Sequence, residues 1–567
     1  MKKRLIGLIL LLGIMCGCGN EPAAETQSDN AAETKTNISE ESLELARNAA
    51  KTPYGKYPEL ITYTLGKLNG ANNSNMPEGD TYEDNVYTRA LREILNIQNR
   101  NVFEENGEQY LTSVEMAIAS KELPDIMIVE DKETLVRLVE KDLIADLTEH
   151  YDNCASEGIK AMYDSYRASV LDTATVDGKL MALPEPSFVD GPNFFWVRKD
   201  WMDKLGLEEP QTIEDVEKII RAFVNEDPGE NGEGNTVGLV CHSDLTGETG
   251  YQYEFQLDPV FSTYKAYPKQ WFYDEDGQIV YGSIQPEAKK VLAYLRKLYK
   301  DGVLDQNFML RDMNNIAELI IEGKCGAFFG PWWAPNNPLM EAKSKNPDAV
   351  WEPYLLATTE DGKTRFFDQK PSYKYVVVRK DFEHPEIVFK MASVMFDKMR
   401  FGGEENKGLQ TYFQKNVDAT ARPIAINIDY SDALYKCYME INGALNKEKK
   451  PEELQLLEYS YYEKCKEYLD SPEDADAEEW AAYASRIKAC SLMESSRLEM
   501  ISAAFFEETK TMSKVWYDLE KLEKNTYLEI ISGVREIDYF DEFVSEWKAA
   551  GGEVVLQEVN EAVKNNM

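Results

Sequence analysis

The chain has little of several residue types that mark particular kinds of site. Its three histidines (His150, His242 and His384) are scattered and lack the spacing of a metal site. Its 8 cysteines form no C-x-x-C pair and are too sparse for a disulfide framework. A glycine-rich phosphate loop, a G-x-S-x-G elbow and an H-E-x-x-H pair are absent as well. The sequence therefore carries none of these metal, redox, phosphate-binding or hydrolase signatures.

Positive charge is also scarce. The 567 residues include 62 Lys and Arg against 101 Asp and Glu, a formal net charge of −39. Proteins bind nucleic acids largely through Lys and Arg side chains, which release counterions from the phosphates. The strongly negative net charge therefore argues against a nucleic-acid partner. Hydrophobic residues make up 43% of the chain, which is enough for folded cores, and its length predicts two or more lobes.

The N-terminus carries the signals of export. Three basic residues precede the apolar run 5–15, which is shorter than the roughly 20 residues a membrane span needs and is typical of a secretory signal. Met15-Cys16-Gly17-Cys18 follows and resembles the lipobox of bacterial lipoproteins, which are cleaved before a lipid-modified cysteine. Cys18 is the preferred lipidation site because the small Gly17 precedes it. Cys16 and an ordinary cleaved signal are the alternatives.

The sequence thus predicts a signal peptide over 1–17 and a flexible tether over 18–57. Residues 19–53 contain no aromatic side chain and are dominated by Glu, Thr, Ala, Ser and Asn, although 40–50 suits a short helix. If the lipobox resemblance holds, the protein is tethered by a diacylglyceryl group to the outer face of the cell membrane.

Beyond the tether, strand-like and helix-like segments alternate. Residues 61–65 and 123–129 favour strands, and 82–95 has helical spacing. Thr212 opens a helix with a capping signature, and Pro286 occupies the first turn of another. This alternation predicts an α/β sheet covered on both faces.

The C-terminal part, after about residue 430, is acidic and mostly helical. Segment 452–474 suggests an amphipathic helix pair with Tyr459, Tyr462 and Leu469 packing inward. Residues 540–565 predict one or two further amphipathic helices.

Several runs together resemble a known family, the extracellular solute-binding proteins (family 1) of bacterial ABC importers. The similarity is strongest to the oligosaccharide-type lipoproteins of Gram-positive bacteria, and it lies in the order and spacing of the runs. The runs are Ser120 to Val129, Val176-Asp-Gly-Lys-Leu-Met-Ala-Leu-Pro, Trp196-Val-Arg-Lys-Asp-Trp-Met-Asp-Lys-Leu-Gly, Trp271-Phe-Tyr-Asp-Glu-Asp-Gly-Gln-Ile-Val-Tyr-Gly, Gln285-Pro-Glu-Ala-Lys, Leu298-Tyr-Lys-Asp-Gly-Val-Leu-Asp, Gly323-Lys-Cys-Gly-Ala-Phe-Phe-Gly-Pro-Trp-Trp and Phe540 to Ala562.

The resemblance implies a two-lobed α/β fold of the type II periplasmic-binding-protein kind, with a hinge and a helical C-terminal extension. The implied bounds are 58–186 plus 370–435 for lobe 1, 187–369 plus 436–567 for lobe 2, and hinge crossings near 184–192, 362–372 and 430–445. Ligand contacts to both lobes would favour a closed form over the open one.

The function that the resemblance implies is binding without catalysis. The protein would capture a carbohydrate, in particular an oligosaccharide, and deliver it unchanged to the permease of an ABC importer, as a monomer with no required cofactor. Two alternatives stay open. One is a cell-surface glycosidase or lyase, because 101 acidic residues leave room for the two carboxylates, roughly 5 to 9.5 Å apart, of a glycosidase. The other is a binding protein for a peptide-like ligand.

Aromatic side chains are the first candidates for ligand contact, since a sugar ring presents an apolar C–H face. Trp332 and Trp333 follow Gly330-Pro331 directly after a strand-like run, a position typical of a cleft rim. By resemblance to maltose-type binding proteins, a Gly-Pro-Trp turn supplies a sugar-stacking ring, with Trp332 favoured. The alternative is that one of the pair fills the core, because adjacent side chains cannot face the same way.

Five further residues are candidate ligand contacts: Trp271, Trp196, Arg198, Asn85 and Asp125. Family resemblance places an aromatic contact near Trp271. Trp196 and Arg198 share one face of a strand, and a structural role is the favoured interpretation for both.

The loop 227–236 resembles an EF-hand-like calcium loop that recurs in this family. Asp227, Asn231, the Glu233 backbone and Asn235 fit the pattern, with Gly232 at the sixth position. The third position is Gly229, which has no side chain. A weak structural Ca²⁺ site and a plain glycine-rich loop both stay open.

Overall fold

The computed structural model describes residues 40–566, apart from 71–74, 167–169, 189–190, 248–253, 275, 359, 369, 402–405 and 416. The predicted signal peptide, the candidate lipidation site Cys18 and the tether up to residue 39 lie outside this range. Within it, no helix is both long enough and apolar enough to cross a bilayer.

Helices and strands alternate through the first two thirds of the chain, and helices dominate thereafter. The helices are α1 (Glu40–Ala49), α2 (Val86–Leu95), α3 (Gly107–Ser120), α4 (Lys132–Glu140), α5 (Thr148–Cys154), α6 (Glu157–Asp164), α7 (Val170–Thr173), α8 (Lys199–Leu205), α9 (Ile213–Glu226), α10 (Asp258–Thr263), α11 (Pro286–Lys300), α12 (Met313–Ile321), α13 (Met340–Lys345), α14 (Ile387–Ala392), α15 (Lys407–Gln414), α16 (Ala433–Leu445), α17 (Leu456–Asp470), α18 (Ala477–Tyr483), α19 (Met512–Ser532), α20 (Tyr539–Trp547) and α21 (Glu553–Asn566). The strands are β1 (Ile61–Leu68), β2 (Ile97–Glu105), β3 (Ile126–Val129), β4 (Thr175–Val176), β5 (Lys179–Leu180), β6 (Leu183–Pro186), β7 (Phe194–Arg198), β8 (Trp271–Tyr273), β9 (Ile279–Tyr281), β10 (Ala327–Gly330), β11 (Trp351–Tyr354), β12 (Thr364–Phe367), β13 (Ser372–Val378) and β14 (Leu498–Ile501).

The first sheet has five strands in the order β2-β1-β3-β13-β6. β1 is parallel to β2 and β3, whereas β13 is antiparallel to β3 and β6. β3 is buried along its whole length, as expected for a central strand covered on both faces. The β1–β2 register shifts between Leu65 and Gly66, where a Cβ on Gly66 would lie 2.5 Å from the Phe103 ring. Only glycine fits this close approach.

The second sheet has three antiparallel strands in the order β10-β7-β11. The side chains of β7 alternate between two hydrophobic clusters. Phe195 and Val197 pack in a cluster that includes residues of α19, α20 and α21, while Phe194 and Trp196 pack in one that includes residues of α16 and α18. The C-terminal helices therefore contribute to the cores on both faces of this sheet.

The two sheets have separate cores. The core of the first sheet gathers residues between 49 and 183 and between 375 and 428, together with Leu456. The cores of the second sheet gather residues between 194 and 356 and between 434 and 559. The chain passes between the two sets after β6, before β13 and before α16. The predicted two-lobed α/β architecture with a helical C-terminal extension is confirmed, while the lobe bounds stay a prediction.

The folded part begins before residue 58, so the predicted tether over 18–57 extends too far. Ala49 and Tyr57 are buried in the first core. The buried Lys390 side chain holds this segment: its Nζ donates hydrogen bonds of 2.8, 2.6 and 3.0 Å to the carbonyl oxygens of Ala49, Thr52 and Gly55. Local composition gives no sign of this contact because its donor lies in a distant helix.

Helix boundaries with a strong local signal agree with the prediction. The Thr212 hydroxyl and the Asp215 carboxylate form the expected capping box of α9, and Pro286 opens α11. The prediction over 452–474 is wrong in part, because the described segment forms the single helix α17, and Leu469 is 45% exposed. Tyrosines occur on several sides of this helix, so its sequence does not define one inward face.

Candidate functional site

A cavity of about 70 Å³ lies where two of the segments that connect the sheets reach the second sheet. Its walls come from residues 191–193 before β7, from α10 and the turn after it, and from β12 and Asp368. The polar and aromatic side chains in these walls include Asn193, Asp258, Ser262, Tyr267, Gln270 and Arg365.

One wall of the cavity is aromatic. The Tyr267 ring packs edge-on against Phe272, with ring centroids 5.2 Å apart, and lies 5.9 Å from the Phe367 ring. Tyr267 and Phe367 both line the cavity. This wall presents apolar ring surface next to the polar groups of the opposite walls, in a cavity smaller than the roughly 300 to 1,000 Å³ of most ligand pockets.

Arg365 on β12 is held in place by two carboxylates. Its Nη2 lies 2.5 Å from Asp361 Oδ2 and 2.8 Å from Glu499 Oε2, and Glu499 is its register partner on the parallel strand β14. Two ion pairs compensate the guanidinium charge and fix the direction of its remaining N–H groups.

Asp258, the first residue of α10, has the most unusual environment in the cavity wall. Its Oδ2 is buried and has no hydrogen-bond partner in the described part of the chain. Burial raises the pKa of this carboxyl from 3.8 to about 7, against the opposing effects of backbone N–H groups and of the Lys269 charge. A buried acceptor without a donor is costly for the folded protein unless a ligand or a proton satisfies it.

This raised pKa predicts a pH-dependent effect of Asp258→Asn on stability. Between about pH 4 and pH 7 the folded protein keeps a proton on Asp258 that the unfolded chain has lost, so this group lowers the wild-type stability as the pH rises. The melting temperature of Asp258→Asn minus that of the wild type should therefore increase from pH 4 to pH 7 and then level off. Thermal unfolding in matched buffers measures this difference, and Asp518→Asn, an exposed site on α19, removes the same charge as a control. Parallel profiles of the wild type and Asp258→Asn would contradict the prediction.

The predicted tryptophan pair lies at the same edge of the second sheet as the cavity. Gly330 at the end of β10 pairs with Phe194 at the start of β7, next to the cavity residue Asn193. Trp332 is 8% exposed, and the Arg486 guanidinium lies 4.4 Å from the centroid of its ring. Trp333 is only half-buried.

The two tryptophans of this pair differ in burial. Trp332 packs in the core with Arg486 over its ring, so it has almost no surface for a ligand in this conformation. Trp333 is the more exposed of the two and packs only partly against this core. The two side chains differ in burial as adjacent residues must when one of them fills the core.

Trp196, Trp271 and Arg198 have structural partners. Trp196 is fully buried, and its Nε1 donates a 3.1 Å hydrogen bond to the carbonyl oxygen of Pro331. Trp271, on the β8–β9 hairpin, is 6% exposed and lies against the rings of aromatic residues in both the hairpin and the C-terminal helices. Arg198 binds the Asp200 carboxylate through Nε and Nη2 at 2.8 and 2.6 Å. These contacts give all three residues packing roles.

Asn85 and Asp125 hold the first lobe together. Asn85 is fully buried and caps α2, accepting from the backbone N–H groups of Tyr87 and Thr88. Asp125 accepts from the backbone N–H and the hydroxyl of Thr64 at 2.7 and 2.8 Å and pairs with Arg379, which ties β1, β3 and β13 together. Neither residue lines the cavity described above.

The loop 227–236 does not present a calcium ligand set. The Asp227 carboxylate already accepts from the N–H groups of Asn231 and Gly232 and from the Thr236 hydroxyl, at 3.1, 2.8 and 2.6 Å. A Cβ on Gly229, at the third position, would lie 2.5 Å from the Trp201 ring.

The other predicted ligands of this loop are no better placed. Asn235 donates to the Asn231 carbonyl oxygen, and Glu233 is exposed. Across the described ranges, no group of three His, Cys, Asp or Glu side chains is placed to hold a metal ion. The residues present therefore do not fit a Ca²⁺ site, in which several carboxylate and carbonyl oxygens surround the ion.

The cavity contains residues that sequence reasoning missed. Asn193 and Arg365 lie next to or within the predicted hinge crossings, so polar residues flanking a crossing were an available signal. Asp258, Tyr267 and Gln270 had no such signal, because only the packing of α10 against β12 brings them to the same cavity.

Comparison with known proteins places the chain in a family. The family model for bacterial extracellular solute-binding proteins matches residues 96–398, more than half of the 567 residues. The polygalacturonan/rhamnogalacturonan-binding protein YtcQ of Bacillus subtilis is 26% identical over 156 residues, which are 28% of this chain and 29% of that protein. The fructooligosaccharide ABC transporter substrate-binding protein FusA of Streptococcus pneumoniae is 28% identical over 144 residues, 25% of each chain. The matches thus span about a quarter of the length of these two relatives.

Solved structures extend the similarity of fold over most of the chain. FusA of S. pneumoniae in complex with kestose has a TM-score of 0.59 at 15% identity and covers 89% of this chain and 99% of its own. An extracellular solute-binding protein from Bifidobacterium longum subsp. infantis has a TM-score of 0.61 at 13% identity and covers 89% of this chain and 98% of its own. Given the family match over residues 96–398 and this shared fold, the chain belongs to the bacterial extracellular solute-binding proteins.

Proposed function

We propose that this protein is the carbohydrate-binding component of an ABC importer, which captures an oligosaccharide and delivers it unchanged to the permease. The observation that carries the proposal is the match to the family of bacterial extracellular solute-binding proteins over residues 96–398. The cavity beside the connecting segments, where an aromatic wall faces hydrogen-bonding groups, is the proposed contact point for part of the ligand. Relatives whose names specify polygalacturonan, rhamnogalacturonan or fructooligosaccharide support a carbohydrate as the ligand.

The position of the cavity connects binding to movement. Its walls include residues 191–193 and 365–368, which continue into the segments that connect the two sheets. A ligand that contacts these residues and the opposite lobe stabilises the closed form, whereas equal affinity for both forms would shift nothing. Closure around the ligand is thus the proposed signal to the permease.

The proposed location is the outer face of the cell membrane, with Cys18 as the lipidated residue. A diacylglyceryl anchor on Cys18 would retain the protein near its permease while the acidic, folded part stays in the aqueous phase.

A binding screen tests the proposed function. Thermal-shift and calorimetric titrations with neutral and acidic oligosaccharides should give saturable binding by at least one of them, with a Kd in the micromolar range or below. Small-angle scattering should show a smaller radius of gyration with that ligand, because the lobes close around it. Chromatography of the recovered sugar should show it unchanged. New saccharide products would support the enzyme alternative, and binding confined to peptides would favour the peptide-like ligand.

A further inference from the structure

We propose that the cavity selects a neutral sugar over a uronic acid, and that Asp258 is the residue that sets this preference by accepting a hydrogen bond from a ligand hydroxyl. The inference rests on the proposed function and specifies the substrate class of the same site.

Buried acceptor oxygens are concentrated in the segment that leads into α10, where Asp258 lines the cavity. Glu254, Gln256 and Asp258 alternate along one segment, and each has a buried side-chain oxygen (Oε1, Oε1 and Oδ2) without a hydrogen-bond partner in the described part of the protein. Glu254 and Gln256 are each 4% exposed. Unpartnered acceptors at three alternating positions call for a donor that the described part of the chain does not supply.

Gly247 places two of these acceptors next to the cavity. Gly247 lines the cavity, and its backbone N–H lies close enough to the Asp258 carboxyl to oppose the rise in its pKa. A Cβ on Gly247 would lie 2.4 Å from Gln256 Oε1, so this amide oxygen lies directly against the glycine. The Gln256 amide thus occupies the space that a side chain at position 247 would fill, directly behind the cavity wall.

The nearby positive charges do not neutralise this acceptor cluster. Arg365 lines the cavity, but Asp361 and Glu499 already pair with its guanidinium. Lys269 acts on Asp258 through its charge, yet Asp258 Oδ2 has no hydrogen-bond partner among the described residues. The wall therefore offers buried oxygens to a ligand and a guanidinium whose charge is compensated.

This chemistry distinguishes the two classes of sugar. A neutral ring has hydroxyl groups that can donate to Asp258, which satisfies an acceptor that is otherwise desolvated. Above about pH 7, where Asp258 is ionised, the carboxylate of a uronate would bring a further acceptor and a like charge to the same wall, and such a juxtaposition disfavours binding.

The test compares matched pairs of ligands that differ only at C6. At about pH 8, above the pKa of Asp258, galacto-, manno- and gluco-oligosaccharides are titrated against their uronate counterparts of equal length, using the full folded chain in calorimetry. The wild type should bind at least one neutral oligosaccharide about tenfold or more tightly than its uronate. Asp258→Asn should raise the Kd for that neutral ligand about tenfold, because the amide is a weaker acceptor. It should also bring the Kd values for the neutral ligand and its uronate closer together, because the amide can donate to a carboxylate. Asp518→Asn should keep the wild-type Kd and ratio.

Several results would overturn the inference. A uronate that binds as tightly as its neutral counterpart, or more tightly, contradicts it while leaving the carbohydrate function intact. An unchanged neutral Kd in folded Asp258→Asn removes this residue from the site. If Asp258→Asn does not fold, the ratio of the wild-type Kd values for a uronate and its neutral counterpart tests the inference by itself. If CaCl₂ alone raises the melting temperature of the wild type but not that of Asp258→Asn, the buried acceptor oxygens bind a cation and not a sugar hydroxyl. Absence of binding by every sugar would reject the proposed function itself.

Discussion

Replacing Lys390 with methionine is expected to lower the free energy of unfolding of the first core by about 3 kcal/mol or more, since it removes three hydrogen bonds from a charged donor and each such bond contributes about 1.5 to 3 kcal/mol. Lys390 is fully buried and donates to three carbonyl oxygens of the segment between Ala49 and Gly55. Its ammonium also lies 5.2 Å from the centroid of the Tyr57 ring. Methionine fills a similar volume but donates no hydrogen bond, so the loss measures these contacts and little else.

The distribution of tryptophan makes this effect measurable lobe by lobe. All 9 tryptophans lie between Trp196 and Trp547, and the first core contains none of them. Urea unfolding followed by far-ultraviolet circular dichroism reports both lobes, whereas tryptophan fluorescence reports the second. Lys390→Met should lower the urea concentration at the midpoint of the circular dichroism transition. The midpoint of the fluorescence transition should shift much less.

A matched control uses the nearby Lys398. This lysine is exposed and lies over the Tyr54 ring at 5.5 Å, so Lys398→Met should cost less than about 1 kcal/mol. Equal circular dichroism midpoints for the two variants would show that the three carbonyl contacts of Lys390 contribute nothing to stability.

Trp333→Ala is expected to weaken binding of the tightest saccharide in the screen about tenfold while leaving the melting temperature nearly unchanged. Trp333 is half-buried, and stacking a sugar face of roughly 50 to 100 Å² on its ring is worth about 1 to 2.5 kcal/mol. A loss of about 1.4 kcal/mol corresponds to a factor of ten in Kd. Calorimetric titration of the variant measures this change.

Trp332→Ala is the matched control because the same side chain is deleted one residue earlier. Trp332 is 8% exposed and covered by Arg486, so its deletion leaves a core cavity and should destabilise the second lobe by about 3 to 5 kcal/mol. The two variants should thus separate affinity from stability. A tenfold loss of affinity in folded Trp332→Ala, with wild-type affinity in Trp333→Ala, would restore the assignment that the sequence favours.

Much of the fold was predictable because its signals are local. The capping box at Thr212, the proline at the first turn of α11 and the buried strand β3 each depend on residues within a few positions of one another. The alternation of such elements predicted an α/β sheet covered on both faces, and runs in a familiar order implied the family and its two lobes. The failure at Leu469 has the same cause, since α17 carries tyrosines around its surface and offers no single apolar face.

The candidate site was much less predictable, because burial and hydrogen-bond partners depend on residues far apart in the chain. The choice between Trp332 and Trp333 rests on Arg486, about 150 residues later, and the early start of the folded part rests on Lys390. Asp258 is an ordinary acid in the sequence and becomes a candidate ligand contact only when packing removes water from its carboxyl group. Local sequence patterns were sufficient to predict the class of protein and much of its secondary structure. Contacts between residues far apart in the chain decided which side chains are accessible to a ligand.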